Sequence, residues 1–261
     1  MRHLRVLTIG GYISYRALFG WLNPYMFLLT TLIPSLTQLF FFVYLGRAAH
    51  VADDTYYVTG NALVAAAAPS LFGMGNAVAG ERWTHTLALL VASPANRVAI
   101  FLGRSLPATV TGIVVSVWTF TVAAVIFGIR VPAAALAPLA LTIVVTSFAC
   151  VGIGLFTAAL GLRWRETAVL ANLLLFILLL FAGVNVPLDR LPPWLSTLAQ
   201  GLPVTHGAKA ARQIVAGEPF GHVARLIAAE ALVGAIYIVV GLVSIGLFEV
   251  EARRGATLEV A

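Results

Sequence analysis

Residues 135–160 read ALAPLALTIVVTSFACVGIGLFTAAL and contain no charged side chain. A helix needs about 20 mostly apolar residues to cross a bilayer, so this stretch is long enough to span one. Its apolar residues follow one another without the period-two alternation of a membrane-spanning strand. Since every backbone polar group in lipid must be hydrogen-bonded within the protein, the stretch predicts a transmembrane helix.

Five further stretches of the chain are also mostly apolar and about long enough to span a bilayer. The sequence therefore predicts six spans, at residues 25–45, 57–78, 105–127, 135–160, 168–185 and 226–248. Of all residues, 61% are hydrophobic and only 10% are charged, whereas a soluble domain carries about 25% charged residues. We therefore expect an all-α membrane protein whose residues 1–261 form a single transmembrane domain.

The net charge of +6 and the single cysteine limit other functions. The basic residues are scattered between apolar runs, which is typical of topology signals, so no nucleic-acid partner is expected. Cys150 lies inside an apolar run and has no second cysteine for a disulfide or a thiolate metal cluster. The first apolar run follows an arginine-bearing segment and lacks a small-residue cleavage site, so we expect no removable signal peptide.

Arginine is distributed unevenly between the two predicted sides of the membrane. One side carries Arg2, Arg5, Arg16, Arg82, Arg97, Arg104, Arg163, Arg165, Arg253 and Arg254, and the other carries Arg47, Arg130, Arg190, Lys209 and Arg212, with Arg225 at the boundary. Basic residues are enriched in cytoplasmic loops. Both termini are therefore predicted to be cytoplasmic.

Three segments outside the spans have a pattern of their own. Residues 1–24 mix arginines with aromatic residues, which predicts an interfacial helix that ends at Asn23-Pro24. In the cytoplasmic connection 79–104, a helical pattern opens at Glu81 and stops at Ser93-Pro94, because the residue before proline disfavours the helical conformation. The external connection 186–222 contains two apolar pieces too short to span, which predict two re-entrant half-helices joined at residues 201–203.

Residues for catalysis are scarce. A phosphate-binding loop of the G-x-x-x-x-G-K-[ST] type needs a lysine after a glycine, but Lys209 is the only lysine and follows Ala208. The zinc-protease and serine-hydrolase motifs H-E-x-x-H and G-x-S-x-G do not occur. We therefore expect a non-catalytic chain without a metal or cofactor of its own.

Glu230 is the one acid within a predicted span. Its carboxylate could pair with Arg225, snorkel to the outer interface or couple transport to protons.

Two groups of motifs, in order along a six-span chain, carry a resemblance. The first is Glu81-Arg82-x-Thr84-x-Thr86-Leu87 followed by Ser93-Pro94-x-x-Arg97. The second is Gly183-x-x-x-Pro187, Leu191-Pro192-x-Trp194, Leu202-Pro203 and Arg212. The chain resembles the membrane subunit of ABC-2 type exporters, a group that includes daunorubicin-resistance and nodulation-factor export permeases.

The resemblance implies a role for each group of residues. Glu81, Arg82, Thr84, Thr86, Leu87, Ser93, Pro94 and Arg97 would couple the chain to a cytoplasmic ATPase. Pro187, Leu191, Pro192, Trp194, Leu202, Pro203 and Arg212 would form an external re-entrant gate. Two ATPase copies would bind ATP and Mg²⁺, and a second copy of this chain or a related permease would complete the pathway.

The expected function is export of a hydrophobic, drug-like or lipid-linked compound across the inner membrane of a prokaryote. Two alternatives stay open. An ion-coupled secondary transporter would use Glu230, and a membrane-embedded lipid-modifying enzyme would use Asp189, His206 and His222.

Overall fold

The computed structural model describes residues 24–83, 97–163 and 166–255, with side chains over 25–76, 101–161 and 166–248. All regular secondary structure in these residues is helical, which confirms the predicted all-α fold. The α-helices, named in chain order, are α1 (Pro24–Phe27), α2 (Ile33–Ala49), α3 (Asp54–Val64), α4 (Ala67–Trp83), α5 (Arg97–Phe127), α6 (Leu136–Arg163), α7 (Thr167–Phe181), α8 (Pro193–Ala199), α9 (Thr205–Val215) and α10 (Phe220–Gly255). A π-helical turn (Leu28–Leu32) joins α1 to α2, and short 3-10 turns (Ala133–Ala135 and Leu188–Arg190) precede α6 and α8.

Five stretches in the described residues are long and apolar enough to cross a membrane. They are Tyr25–Ala49, Asp54–Asn76, Phe101–Phe127, Ala133–Gly161 and Phe220–Phe248, and they coincide with five of the six predicted spans. Helix α7, in the remaining one, has 15 residues, which at ~1.5 Å per residue is shorter than a hydrocarbon core of ~30 Å. It ends at Phe181 because Gly183 adopts a left-handed conformation with φ of +68°. The sixth crossing, over residues 168–185, stays a prediction.

The second predicted span consists of two helices, because α3 ends at Val64 and α4 begins at Ala67. Pro69 has no N–H, so the carbonyl of Ala65 lacks the donor that a continuous helix would supply. The turn is closed instead by a short-range bond from the Ala66 N–H to the Leu63 carbonyl (3.2 Å). A break therefore lies near the middle of this span.

Helix α6 lies at the centre of the fold and packs along α10, with α4 against it as well. The approach of α6 and α10 depends on glycine. A Cβ on Gly234 would lie 2.8 Å from Ala149 Cα, and one on Gly152 would lie 2.7 Å from Tyr237 Cβ. Small residues let helices approach closely in membranes, where association relies on van der Waals contact. Helix α9 rests on this closely packed pair and also contacts α3.

The helices on the predicted cytoplasmic side are longer than expected. Helix α4 runs through Glu81 and Arg82 to Trp83, and α5 begins at Arg97. Glu81 therefore belongs to the helix of the second span and does not open a separate helix, which corrects that part of the prediction. Residues 84–96, with the predicted coupling residues Thr84, Thr86, Leu87, Ser93 and Pro94, lie outside the described residues, as do residues 1–23 of the predicted interfacial helix.

Candidate functional site

Helices α8 and α9 occupy the positions of the two predicted half-helices, and we call them the outer helix pair. Residues 200–204 connect them. The carbonyl of Pro192 begins α8 by accepting hydrogen bonds from the N–H groups of Leu195 and Ser196, both at 2.9 Å. Trp194 and Leu198 of α8 are 65% and 64% exposed. Such apolar area suits contact with lipid, although the position of the pair in the outer leaflet stays a prediction.

The other predicted gate residues lie deeper in the fold. Pro203 is buried, Leu202 packs against the hydrophobic core, and Pro187 and Leu191 are half-buried at the two ends of the 3-10 turn. The outer helix pair therefore has an inner side, formed by its connection, and an exposed side, formed by α8.

Arg212, the last predicted gate residue, ties α9 to two other elements. Its Nη2 donates to the carbonyls of Gly183 (2.9 Å) and Val184 (3.2 Å), beyond the end of α7. Its Nε donates to the carbonyl of Tyr56 in α3 (3.3 Å), and the guanidinium carbon lies 3.5 Å from the centre of the Tyr56 ring. The Tyr56 hydroxyl donates to the same Gly183 carbonyl at 2.6 Å. We call this group of contacts the Arg212 junction.

The positive charge of Arg212 is stabilised by the dipoles of three backbone carbonyls and by the aromatic ring of Tyr56. Within the described residues, no carboxylate lies within salt-bridge distance of it. Burial lowers the pKa of the guanidinium and the adjacent Tyr56 raises it, but arginine remains protonated in proteins. The junction also requires a glycine, because a Cβ on Gly60 would lie 2.7 Å from Arg212 Nη2 and 2.9 Å from the Val184 carbonyl.

Glu230 of α10 ties down the other end of α9. Its side chain is fully buried, and its two oxygens accept hydrogen bonds from the N–H groups of Val204 (2.6 Å) and Gly207 (3.0 Å). Amides at a helix N-terminus have no partner within the helix and favour a negative charge. Val204 holds a left-handed conformation with φ of +76°, which is unfavourable for a β-branched residue. Arg225 is exposed, so Glu230 is paired with backbone amides and not with Arg225.

The two ties attach α9 to different parts of the molecule. Glu230 connects its N-terminal end to α10, whereas Arg212 connects its C-terminal half to α3 and to the end of α7. A displacement of α3 and α7 relative to α10 would therefore strain one tie or the other. This arrangement suits an element that closes or opens one end of a passage.

A furrow runs beside α2, and we define it as two cavities that share Gln38. One, of about 430 Å³, is lined by Phe27, Thr30, Thr31, Pro34, Ser35, Gln38, Val64, Ala65, Ala68, Pro69, Phe72, Gly73, Asn76, Ala108, Thr111, Val115 and Leu175. The other, of about 610 Å³, is lined by Gln38, Phe41, Phe42, Leu45, Gly46, Ala49, Val51, Tyr57, Phe176, Leu179, Leu180, Asn185 and Val186. Both volumes fall in the range of ligand pockets, and the break in the second span lies in the wall.

The amide side chains of the spans occupy three kinds of position. Asn61 donates to Asn185 Oδ1 at 2.7 Å, and the two residues link α3 to the segment after α7, as expected of a polar contact between helices. Gln38 and Asn76 line the furrow. Asn172 is exposed and donates to the Ala168 carbonyl of its own helix.

The residues proposed for enzymatic chemistry are not brought together. In the part of the chain that the structure describes, no three His, Cys, Asp or Glu side chains form a metal site. His206 contacts the Gln200 carbonyl (2.9 Å), and His222 contacts Glu218 (3.3 Å) on the surface. Of the predicted coupling residues, Glu81, Arg82 and Arg97 have a described backbone only.

Sequence reasoning identified Arg212 and Glu230 but not their partners. Those partners are backbone carbonyls and amides, which every residue possesses, together with the ring of Tyr56. The motif Gly183-x-x-x-Pro187 was the one signal near them, because a glycine at a helix end leaves its neighbours' carbonyls open to donors from elsewhere.

A family model and two individual relatives both place the chain among ABC transporter membrane proteins. The model of the ABC-2 type transporter family matches residues 13–216. The chain is also 28% identical over 138 residues to proteins described as probable multidrug ABC transporter permease YbhR, from Escherichia coli K12 and from Escherichia coli O157:H7. Each match covers 52% of this chain and 37% of the relative, so it spans little more than a third of those proteins. Because the family model covers most of its residues, the chain belongs to the ABC-2 type transporter family.

Proposed function

We propose that this chain is the membrane-spanning permease subunit of an ATP-driven exporter, which moves a hydrophobic, drug-like or lipid-linked compound outward. A separate cytoplasmic ATPase, in two copies, would bind ATP and Mg²⁺ and hydrolyse ATP. A second copy of this chain, or a related permease, would face the first across the pathway. Family membership and the multidrug description of the Escherichia coli relatives support this assignment. The proposed location is the inner membrane of a prokaryote.

The observation that carries the proposal is the furrow beside α2. Its walls are mostly apolar, with hydroxyl and amide groups such as Thr30, Gln38 and Asn76 at intervals. Such a lining can accompany a molecule that has both apolar and polar parts without binding it too tightly to leave. The inner side of the outer helix pair would close the outer end of the transport pathway until the cargo leaves. Glu230 supports ion coupling only weakly, because backbone amides already occupy its carboxylate.

Blocking the furrow at Gln38 is expected to abolish most export. In a Cys150→Ala background, Gln38→Cys would be alkylated with N-ethylmaleimide, and ATP-dependent efflux of the hydrophobic dye Nile red would be measured with the partner ATPase present. The added group would extend from the one residue that lines both cavities and would occupy part of their space. Thr37→Cys is the matched control, because Thr37 is exposed on the same helix and lines neither cavity. Equal efflux from both fully alkylated variants would contradict a pathway through the furrow.

The topology proposal, with both termini cytoplasmic, makes a labelling prediction. In the Cys150→Ala background, single cysteines at Asp53 and Asp189 should react with an impermeant thiol reagent in intact cells. A cysteine at Thr257 should react only after the cells are opened, because the arginine-rich side faces the cytoplasm. Labelling of the Thr257→Cys variant in intact cells would show that the C-terminus lies outside the cell. That result would contradict both the proposed topology and the coupling assignment.

A further inference from the structure

A polar cavity lies on the predicted outer side, where α3, the turn between α5 and α6, and the end of α9 meet. Its volume is about 800 Å³. The lining residues are Asp53, Asp54, Thr55, Tyr56, Phe127, Gly128, Ile129, Arg130, Arg212, Val215 and Ala216. Two acids and two arginines therefore face one space.

The acids in this cavity are partly used by the protein itself. Asp54 forms a two-point pair with Arg47 (2.6 and 2.8 Å). Asp53 is exposed and uses one oxygen to accept a bond from the Tyr56 N–H (3.2 Å), at the start of α3. The other carboxylate oxygen of Asp53, Oδ2, can therefore contact a positively charged group in the cavity.

The arginines retain more of their binding capacity. Arg130 is exposed and has no hydrogen-bond or ion-pair partner among the described residues. Arg212 directs Nε and Nη2 into its junction, while its Nη1 makes no hydrogen bond within the described part of the chain. Guanidinium groups with spare N–H donors are well suited to a phosphate. The cavity therefore offers a site for both a phosphate and an ammonium group.

An apolar groove of about 340 Å³ lies next to this cavity, between α5 and α6. Ile129 lines both. Helix α5 contributes Val117, Phe120, Thr121, Ala124 and Val125, and α6 contributes Leu136, Leu139, Ala140 and Ile143. On each helix the spacing places these residues on one face, and Thr121 is the single polar residue in the lining.

The groove has the length of one membrane leaflet. From Val117 to Phe127, at the rim of the polar cavity, α5 rises about 15 Å, which is half of a hydrocarbon core of ~30 Å. A polar chamber that offers both charges, directly above an apolar groove of this length, has the proportions of a lipid molecule. A protein helix would match the apolar groove but would leave Arg130 and the Nη1 of Arg212 without phosphate or carboxylate partners.

We propose that the cavity and the groove together bind one outer-leaflet phospholipid with a zwitterionic headgroup. Its phosphate would contact Arg130 and the Nη1 of Arg212, its ammonium group would lie at Asp53, and one acyl chain would fill the groove. This site lies apart from the furrow, so it goes beyond the proposed transport function. A phosphate would also give Arg212 the charged partner that the junction lacks among the described residues. The bound lipid would thereby help to hold α9 against α3 and the end of α7.

The test measures lipid retention by the purified chain alone, by native mass spectrometry after delipidation and titration with phosphatidylethanolamine. The unmodified chain is expected to retain one lipid. Arg130→Gln should weaken binding about tenfold, equivalent to ~1.4 kcal/mol, because it removes one phosphate contact. Ala140→Trp should weaken it at least as much, since the indole would occupy the groove.

Two matched variants control for general effects on lipid contact. Arg190→Gln removes another exposed arginine of the outer side, and Ala228→Trp adds an indole on an exposed position of α10; both should retain the lipid as the unmodified chain does. Equal retention by all four variants would overturn the site. Tighter binding of phosphatidylglycerol than of phosphatidylethanolamine would overturn the zwitterionic headgroup. Neither result depends on export, so the proposed function is tested separately.

Discussion

Glu230→Leu is expected to lower the free energy of unfolding of the purified chain by about 2–6 kcal/mol, because it leaves two buried N–H groups without an acceptor and each costs ~1–3 kcal/mol. The carboxylate is fully buried and accepts bonds from the amides of Val204 and Gly207. Leucine fills a similar volume but offers neither amide a partner. Denaturant unfolding in detergent would measure the loss, and amide hydrogen exchange at the two residues would show where it arises.

Two further variants separate the cap from a general effect of lost charge. Glu230→Gln keeps one acceptor oxygen, so we expect an intermediate stability with fast exchange at one of the two amides. Glu218→Gln removes a carboxylate from an exposed pair with His222, and surface pairs contribute little to stability. If Glu230→Leu unfolds and exchanges as the unmodified chain does, the carboxylate does not hold the N-terminus of α9.

The same variants test the proposal that the outer helix pair is a gate. Helix α9 is held by Glu230 at one end and by Arg212 at the other. Without the hydrogen bonds from Glu230, the Arg212 junction would be the principal polar contact that holds α9 to the other helices. The connection before α9 would then adopt several positions, and the strained φ of Val204 would relax. If the outer helix pair is the gate of an exporter, as proposed, this loosening should allow solutes to leak through the assembled complex in the absence of ATP.

The spans could be predicted because their signal is local. An uninterrupted apolar run such as residues 135–160 has one stable state in lipid, a hydrogen-bonded helix, whatever surrounds it. The break in the second span also has a local cause, because Pro69 leaves the Ala65 carbonyl without the N–H donor of a continuous helix. The length of α7 was not predicted, because the apolar run continues past Phe181 and only the conformation of Gly183 ends the helix.

The candidate site depends on contacts that sequence patterns do not encode. The partners of Arg212 and Glu230 are main-chain groups 23 to 156 residues away along the chain. The furrow arises because Gln38, Pro69 and Asn76, which come from two elements, line one space. A polar residue in a span predicts a contact of some kind. Only the packing of the helices separates a structural amide such as Asn61 from one that lines the furrow, such as Gln38.

The position of Glu81 and Arg82 gives the coupling hypothesis a mechanical basis. Both residues lie in α4, the helix that also contributes Pro69, Phe72 and Asn76 to the furrow. From Asn76 to Glu81 the helix rises only about 7.5 Å. A push on the predicted cytoplasmic end of α4 would therefore move part of the furrow wall directly. The break before Ala67 would let this half of the span move relative to α3.

Glu81→Ala and Arg82→Ala are expected to lower transport-linked ATP hydrolysis, or affinity for the ATPase, by about tenfold or more, because truncation of a central interface residue costs ~2 kcal/mol. The permease itself should still fold and insert. The complex with its ATPase would be assayed in proteoliposomes, with melting of the isolated permease as the measure of folding. Glu251→Ala and Arg253→Ala provide matched charges at the end of α10, also on the predicted cytoplasmic side, and should not change coupling. If the Glu81 and Arg82 variants bind the ATPase and export at the normal rate, the coupling role is wrong for these two residues.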